Sequence, residues 1–155
     1  MRQGGAIRRM TTFLGIDPGA SGAYAIHSAA GWVVEDLPET EEGAFDAAAF
    51  HAALLAAGPL TAALERPLPF MLTNADSVLK LGQSYGALLA CLQITPGVTI
   101  HTPTARSWKA AMKLTAEKGV SVTRARAVLG IGDKMRLRHD KAEAVLLAEW
   151  VKQAV

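Results

Sequence analysis

The chain has 155 residues, half of them apolar and 19% charged, enough for one globular domain with its own core and no need of staples. No apolar run reaches the roughly 18–20 residues that span a bilayer, and the opening MRQGGAIRRM lacks the apolar stretch of a secretory signal. A single cysteine, Cys91, excludes an internal disulfide and, lying in an apolar stretch, reads as a buried inert thiol in a reducing compartment. Residues 1–11 are expected to form a disordered basic lead-in and residues 12–155 a single domain. The expected compartment is the cytoplasm, with an organelle left open as an alternative.

In chain order, Thr12–Ile16 is a β-prone run stopped by Asp-Pro-Gly, a turn signal. Ala23–His27 and Trp32–Glu35 are two further strands joined by a turn over Ser28–Gly31, so the first three strands read as an antiparallel meander. Phe45–Ala57 has the composition of an alanine-rich helix. Leu60–Leu64 is a fourth strand, ended by Glu65 and closed off by Pro67 and Pro69. Ala75–Gln93 places Val78, Leu81, Tyr85, Leu88, Leu89 and Leu92 at helical spacing. Val98–His101 is the fifth strand, followed by helices over about Thr104–Met112, Val120–Val128 and Asp140–Lys152. This order predicts one mixed five-stranded sheet flanked by helices on both faces, an α/β architecture that names no function by itself.

The net charge is only +2, but it is unevenly distributed. Between Pro18 and Leu64 there is no lysine or arginine, whereas the stretch from His101 to Lys141 holds ten, among them Arg106, Lys109, Lys113 and Lys118. Such a split suggests a polyanion-binding side and a solvated acidic side; two solvated helix faces give the same pattern.

Four acids stand at distinctive places. Asp17 lies in Gly15-Ile16-Asp17-Pro18-Gly19 where a strand ends, and taken alone it is a turn aspartate bonded to its own backbone. Glu65 ends the fourth strand. Asp140 and Glu143, three residues apart, share one helix face, although Asp140 at an N-cap with Glu143 three residues on would equally be a capping box. Against that, the helix that follows is apolar nearly all round, and Ala142 and Ala144 flank Glu143, so it should lie on the sheet. If the first and fourth strands are neighbours and this helix packs on that face, the four acids meet. So many carboxylates are tolerable together only when protonated or bound to cations. An all-oxygen donor set selects Mg²⁺, with Mn²⁺ as substitute, over zinc. Two such ions about 3.5–4 Å apart would clamp a scissile phosphate.

The chain resembles the RuvC-type Holliday-junction resolvases of the RNase H-like superfamily. Gly15-Ile16-Asp17-Pro18-Gly19 is similar to that family's opening motif and Leu64-Glu65 to its second acid. Asp140-Lys-Ala-Glu143-Ala144 resembles its closing motif, and Asn74–Gln83 (NADSVLKLGQ) its central helix. The resemblance runs from about Thr12 to Val151. It implies an RNase H-like fold and a homodimer with catalytic, metal-binding Asp17, Glu65, Asp140 and Glu143. It further implies two Mg²⁺ ions per site and a four-way DNA junction cut by symmetric paired nicks. By the same resemblance Lys109 and Lys118 contact the scissile region, joined by Lys113 and Arg106, and Phe70 probes the unpaired crossover by stacking. The sequence departs from the family in carrying Glu143 where aspartate is usual and in a two-residue expansion between Glu65 and Asn74. His139 beside Asp140 is an auxiliary group. A branch-migration motor is a compatible partner that no residue specifies. The competing readings are a non-catalytic junction-binding protein, a nuclease for other branched DNA such as forks, and an actin-like phosphotransferase fragment suggested by the GIDPG turn alone.

Overall fold

The computed structural model describes residues 11–19, 21–68 and 74–155. Its elements are β1 (Thr12–Asp17), β2 (Ala23–Ser28), β3 (Gly31–Asp36), α1 (Ala47–Ala57) and β4 (Leu60–Leu64). They continue with α2 (Ala75–Ile94), β5 (Val98–His101), α3 (Ala105–Ala111), α4 (Lys118–Leu129) and α5 (His139–Ala154). The strands form one sheet in the order β3-β2-β1-β4-β5. β1, β2 and β3 pair antiparallel, as the meander requires, while β4 runs parallel to β1 and β5 parallel to β4. The expected five-stranded mixed sheet with helices on both faces is the one observed, and element ends shift by only a residue or two.

Alternation along the strands sorts the side chains into two cores. Leu14 and Ile16 of β1, with Leu60, Ala62 and Leu64 of β4, pack against Phe50 and Leu54 of α1 and Leu88 and Leu92 of α2. Phe13 and Ala63 point the other way, to Val145, Leu146 and Leu147 of α5, Trp108 of α3 and Ala125 of α4. The same period of two puts Asp17 and Glu65 on the α5 side, two residues beyond Gly15 and Ala63. Cys91 is buried in the first core, as expected of an inert thiol. No described helix is long and apolar enough to cross a membrane.

Gly15 sets the height of α5 above the sheet. A Cβ there would overlap the backbone carbonyl of Ala144 and the amide of Ala148, and would stand 2.9 Å from Leu147 Cβ. The helix backbone therefore rests directly on β1, and Ala142, Ala144 and Ala148, all fully buried, keep the approach close. This places residues 140 and 143, in the first turns of α5, over the ends of β1 and β4.

Candidate active site

Each acid is delivered by a different local device. Asp17 is the last residue of β1, and its Oδ1 accepts the amide of Gly19 at 3.0 Å. The turn geometry read from Asp-Pro-Gly is thus realised, yet the residue is only 9% exposed and faces the other acids rather than solvent. Glu65 follows β4 directly. Its amide donates to Ile16 O (3.1 Å) and the amide of Arg66 to Pro103 O (2.8 Å), so the backbone is pinned from both sides beyond the strand. Glu143 is buried on α5, 5% exposed. Asp140 sits in the first turn of that helix, whose N-cap is Arg138 with no side-chain cap bond. The capping-box alternative is therefore not formed.

The acids feel one another. Burial, with Glu65, Glu143 and Asp140 adding repulsion against the pull of the Gly19 amide, holds Asp17 up at about 7. Burial likewise raises Glu65, with Glu143 adding to the shift, while the indole of Trp108 and the ammonium of Lys109 oppose it. Burial would also raise Asp140, but hydrogen bonds from Arg138 and the Lys141 amide outweigh it and leave this acid below its ordinary value.

Cations already meet two of the four carboxylates. Lys109 Nζ pairs with Glu143 Oε1, and Arg138 forks onto Asp140 while also donating to Ser21 O at 3.0 Å and meeting Asp36 at 2.9 Å. His139 Nε2 lies 3.1 Å from Glu143 Oε1 but is not aligned as a hydrogen bond. Among the described residues no three acid, histidine or cysteine side chains converge on one point at ligand distance. Asp17, Glu65 and Glu143 share a rim with Lys109 between them, while Asp140 is turned to Arg138. The donor set nonetheless fits a hard divalent cation: it is all carboxylate, two of its members, Asp17 and Glu143, are buried, and its two ammonium or guanidinium partners mark where positive charge is stabilised.

A cleft of about 610 Å³ opens beside Asp17 and Glu65, lined also by Arg106, Lys109 and Leu114. Lys113 lines a separate depression with Arg124 on the α4 side, and Lys118, exposed at the start of α4, lies in neither. Phe70 is outside the described residues, as is most of the expanded segment before Asn74. Two residues that sequence reasoning missed contact the acids directly. Trp108, fully buried, donates its Nε1–H to Glu65 Oε2 at 2.7 Å, and Arg138 holds Asp140. The only sequence signal for the first is a tryptophan as the one large apolar residue of a short helix, whose buried N–H must find an acceptor.

Sheet order, register and the placement of α5 define an RNase H-like fold. Among solved structures the chain is similar to Thermus thermophilus RuvC, both alone and in complex with Holliday junction substrate. The complex aligns at 19% identity and TM-score 0.67 over 93% of this chain and 96% of that one; the uncomplexed structure gives 20% identity at the same TM-score and coverage. It is also similar to the yeast mitochondrial Holliday junction resolvase Ydc2, at 16% identity and TM-score 0.51 over 88% of this chain and 75% of that one. No family model and no curated protein matches by sequence. The fold expected from the RuvC resemblance is the fold found.

Proposed function

We propose that this chain is a divalent-cation-dependent nuclease that cuts branched DNA, with the four-way junction as its first candidate substrate. The observation that carries the reading is Asp17, a carboxyl that is buried, pushed up to about 7 and repelled by three further acids, one just past the end of β4 and two on α5. A fold gains no stability from such a cluster. It makes chemical sense as a cation site beside DNA phosphates. The likeness to a RuvC solved with junction DNA supports this substrate class.

In this reading Asp17, Glu65, Asp140 and Glu143 hold the ions. Held there, Mg²⁺ would supply an activated water and charge stabilisation for the leaving oxygen. Lys109, bridging α3 to Glu143, neutralises the rim until ions arrive and then is available to a phosphate. Arg106 in the cleft and Lys113 and Lys118 beyond it extend a positive track for the backbone. A homodimer would present two such sites to the approximate two-fold symmetry of a junction.

The test is cleavage of a synthetic four-way junction and a matched linear duplex, with Mg²⁺ or EDTA. Symmetric, metal-dependent nicks in the junction alone are expected, and Asp17→Asn should abolish them. Equal cutting of both substrates would keep the site and discard the junction preference. A second reading, binding without cleavage, is favoured by the two ion pairs that occupy Glu143 and Asp140. Tight junction binding with no nicks in Mg²⁺ or Mn²⁺ would establish it.

A further inference from the structure

Trp108 is the largest fully buried side chain of the described residues. Its indole needs one acceptor, and a buried N–H is ordinarily matched by a neutral partner such as a backbone carbonyl. Here the acceptor is the carboxylate of Glu65, 43 residues away in sequence, at 2.7 Å. No other hydrogen bond to that carboxylate is made among the described residues. Glutamate has three side-chain torsions, and fixing them costs rotamer freedom. One directional bond from an immobile ring removes much of that freedom before any ligand binds. The next residue on α3, Lys109, lies 5.4 Å over the same ring and reaches Glu143 on α5. Two consecutive residues of one short helix thus grip acids from two different elements.

We infer that Trp108 is the positioning residue of the cation site: its N–H locks Oε2 of Glu65 and presents Oε1 to the ion, while anchoring the helix that carries Lys109. This rests on the cation-site reading given above. Hydrogen-bonded partners that orient ligating carboxylates are commonly worth about 10–100-fold in metal affinity or activity. The assignment gives Trp108 a role toward the reaction without touching substrate, and it explains why the core of this face closes on a charged group.

The experiment uses the full chain labelled with ¹⁵N, with Mg²⁺ as the only ligand. Trp108→Phe keeps most of the ring packing and deletes the N–H; it also assigns the Trp108 indole resonance by its loss. In the wild-type protein that resonance is expected far downfield and slow to exchange, moving upfield in Glu65→Gln as the acceptor loses its charge. The Mg²⁺ midpoint of thermal stabilisation should rise about 10–100-fold in Trp108→Phe. A Trp108→Phe protein that melts lower by the same amount with and without Mg²⁺, at an unchanged midpoint, would reduce the residue to packing and overturn the inference. Should Trp108→Phe not fold, Trp32→Phe and Trp150→Phe assign the Trp108 indole resonance by exclusion, and its indifference to Glu65→Gln overturns the inference equally. The cation site and the role of Trp108 fail separately. If Glu65→Gln binds Mg²⁺ and cuts junctions as the wild type does, the cation site itself is wrong. If Glu65→Gln is inert while Trp108→Phe keeps the wild-type midpoint, only the role of Trp108 is wrong.

Discussion

Replacing Gly15 by alanine tests the seating of α5 on the sheet, on which the candidate site depends. The added Cβ would overlap Ala144 O and Ala148 N, both backbone atoms that no rotamer change can move aside. Interior carbon atoms settle about 3.5–4.0 Å apart, so one element must withdraw by more than about 1 Å. β1 is pinned on both sides, by β2 and β4, so the displacement falls on α5. Overpacking of this kind costs about 1–3 kcal/mol; at about 2 kcal/mol a domain of this size should melt roughly 4–8 °C lower. Because α5 carries Asp140 and Glu143, the same shift misplaces two of four acids, and a misplacement of about 1 Å is worth up to about 100-fold in rate. The assays are circular-dichroism melting and junction cleavage under one Mg²⁺ concentration. Gly119→Ala is the control, since a Cβ there meets nothing within 4 Å, and it should melt no lower than wild type. A Gly15→Ala protein that melts and cuts like the wild type would falsify the packing described for α5.

Two further outcomes follow from the electrostatics. Asp17 titrates at about 7 in the fold against 3.8 outside it, so the native state binds the extra proton and stability should fall as pH rises from about 4 to 7. The slope is at most about 1.4 kcal/mol per pH unit. In EDTA, Asp17→Asn should lose that slope and be the more stable protein at pH 8; identical pH profiles for the two would refute the buried-acid account. On the DNA side, alanine at both Lys109 and Lys118 should lower the log–log salt slope of junction binding by roughly 0.9 for each phosphate no longer neutralised. An unchanged slope would place the DNA on another face.

Much of the fold was legible because glycine, proline and strand alternation act locally. Asp-Pro-Gly stops β1, Pro67 follows the end of β4, and apolar spacing marks α2. The strand-end positions of Asp17 and Glu65 are readable for the same reason, and their adjacency follows from the pairing of β1 with β4. What could not be read is the partner of each charge. Arg138 and Lys141 count in sequence as part of a basic face, but in the fold Arg138 engages Asp140, Asp36 and Ser21 O, and Lys141 meets Asp36 at 3.5 Å. Arg126 likewise caps Met135 O. The free basic surface is therefore smaller than the ten residues suggest. Trp108 escaped notice because its acceptor lies on another element, a relation that exists only after α3 docks.

The parallel pairing of β1 with β4, with α5 laid across both, also governs when the site comes into being. Asp17, Glu65 and the α5 acids are gathered from the opening, the middle and the closing stretches of the sequence, and pairings of such long range form late. A chain still emerging from the ribosome, or one whose last helix has frayed, holds isolated acids and no cluster. Any cutting power the protein has is thus withheld until folding is complete, and activity doubles as a readout of native structure.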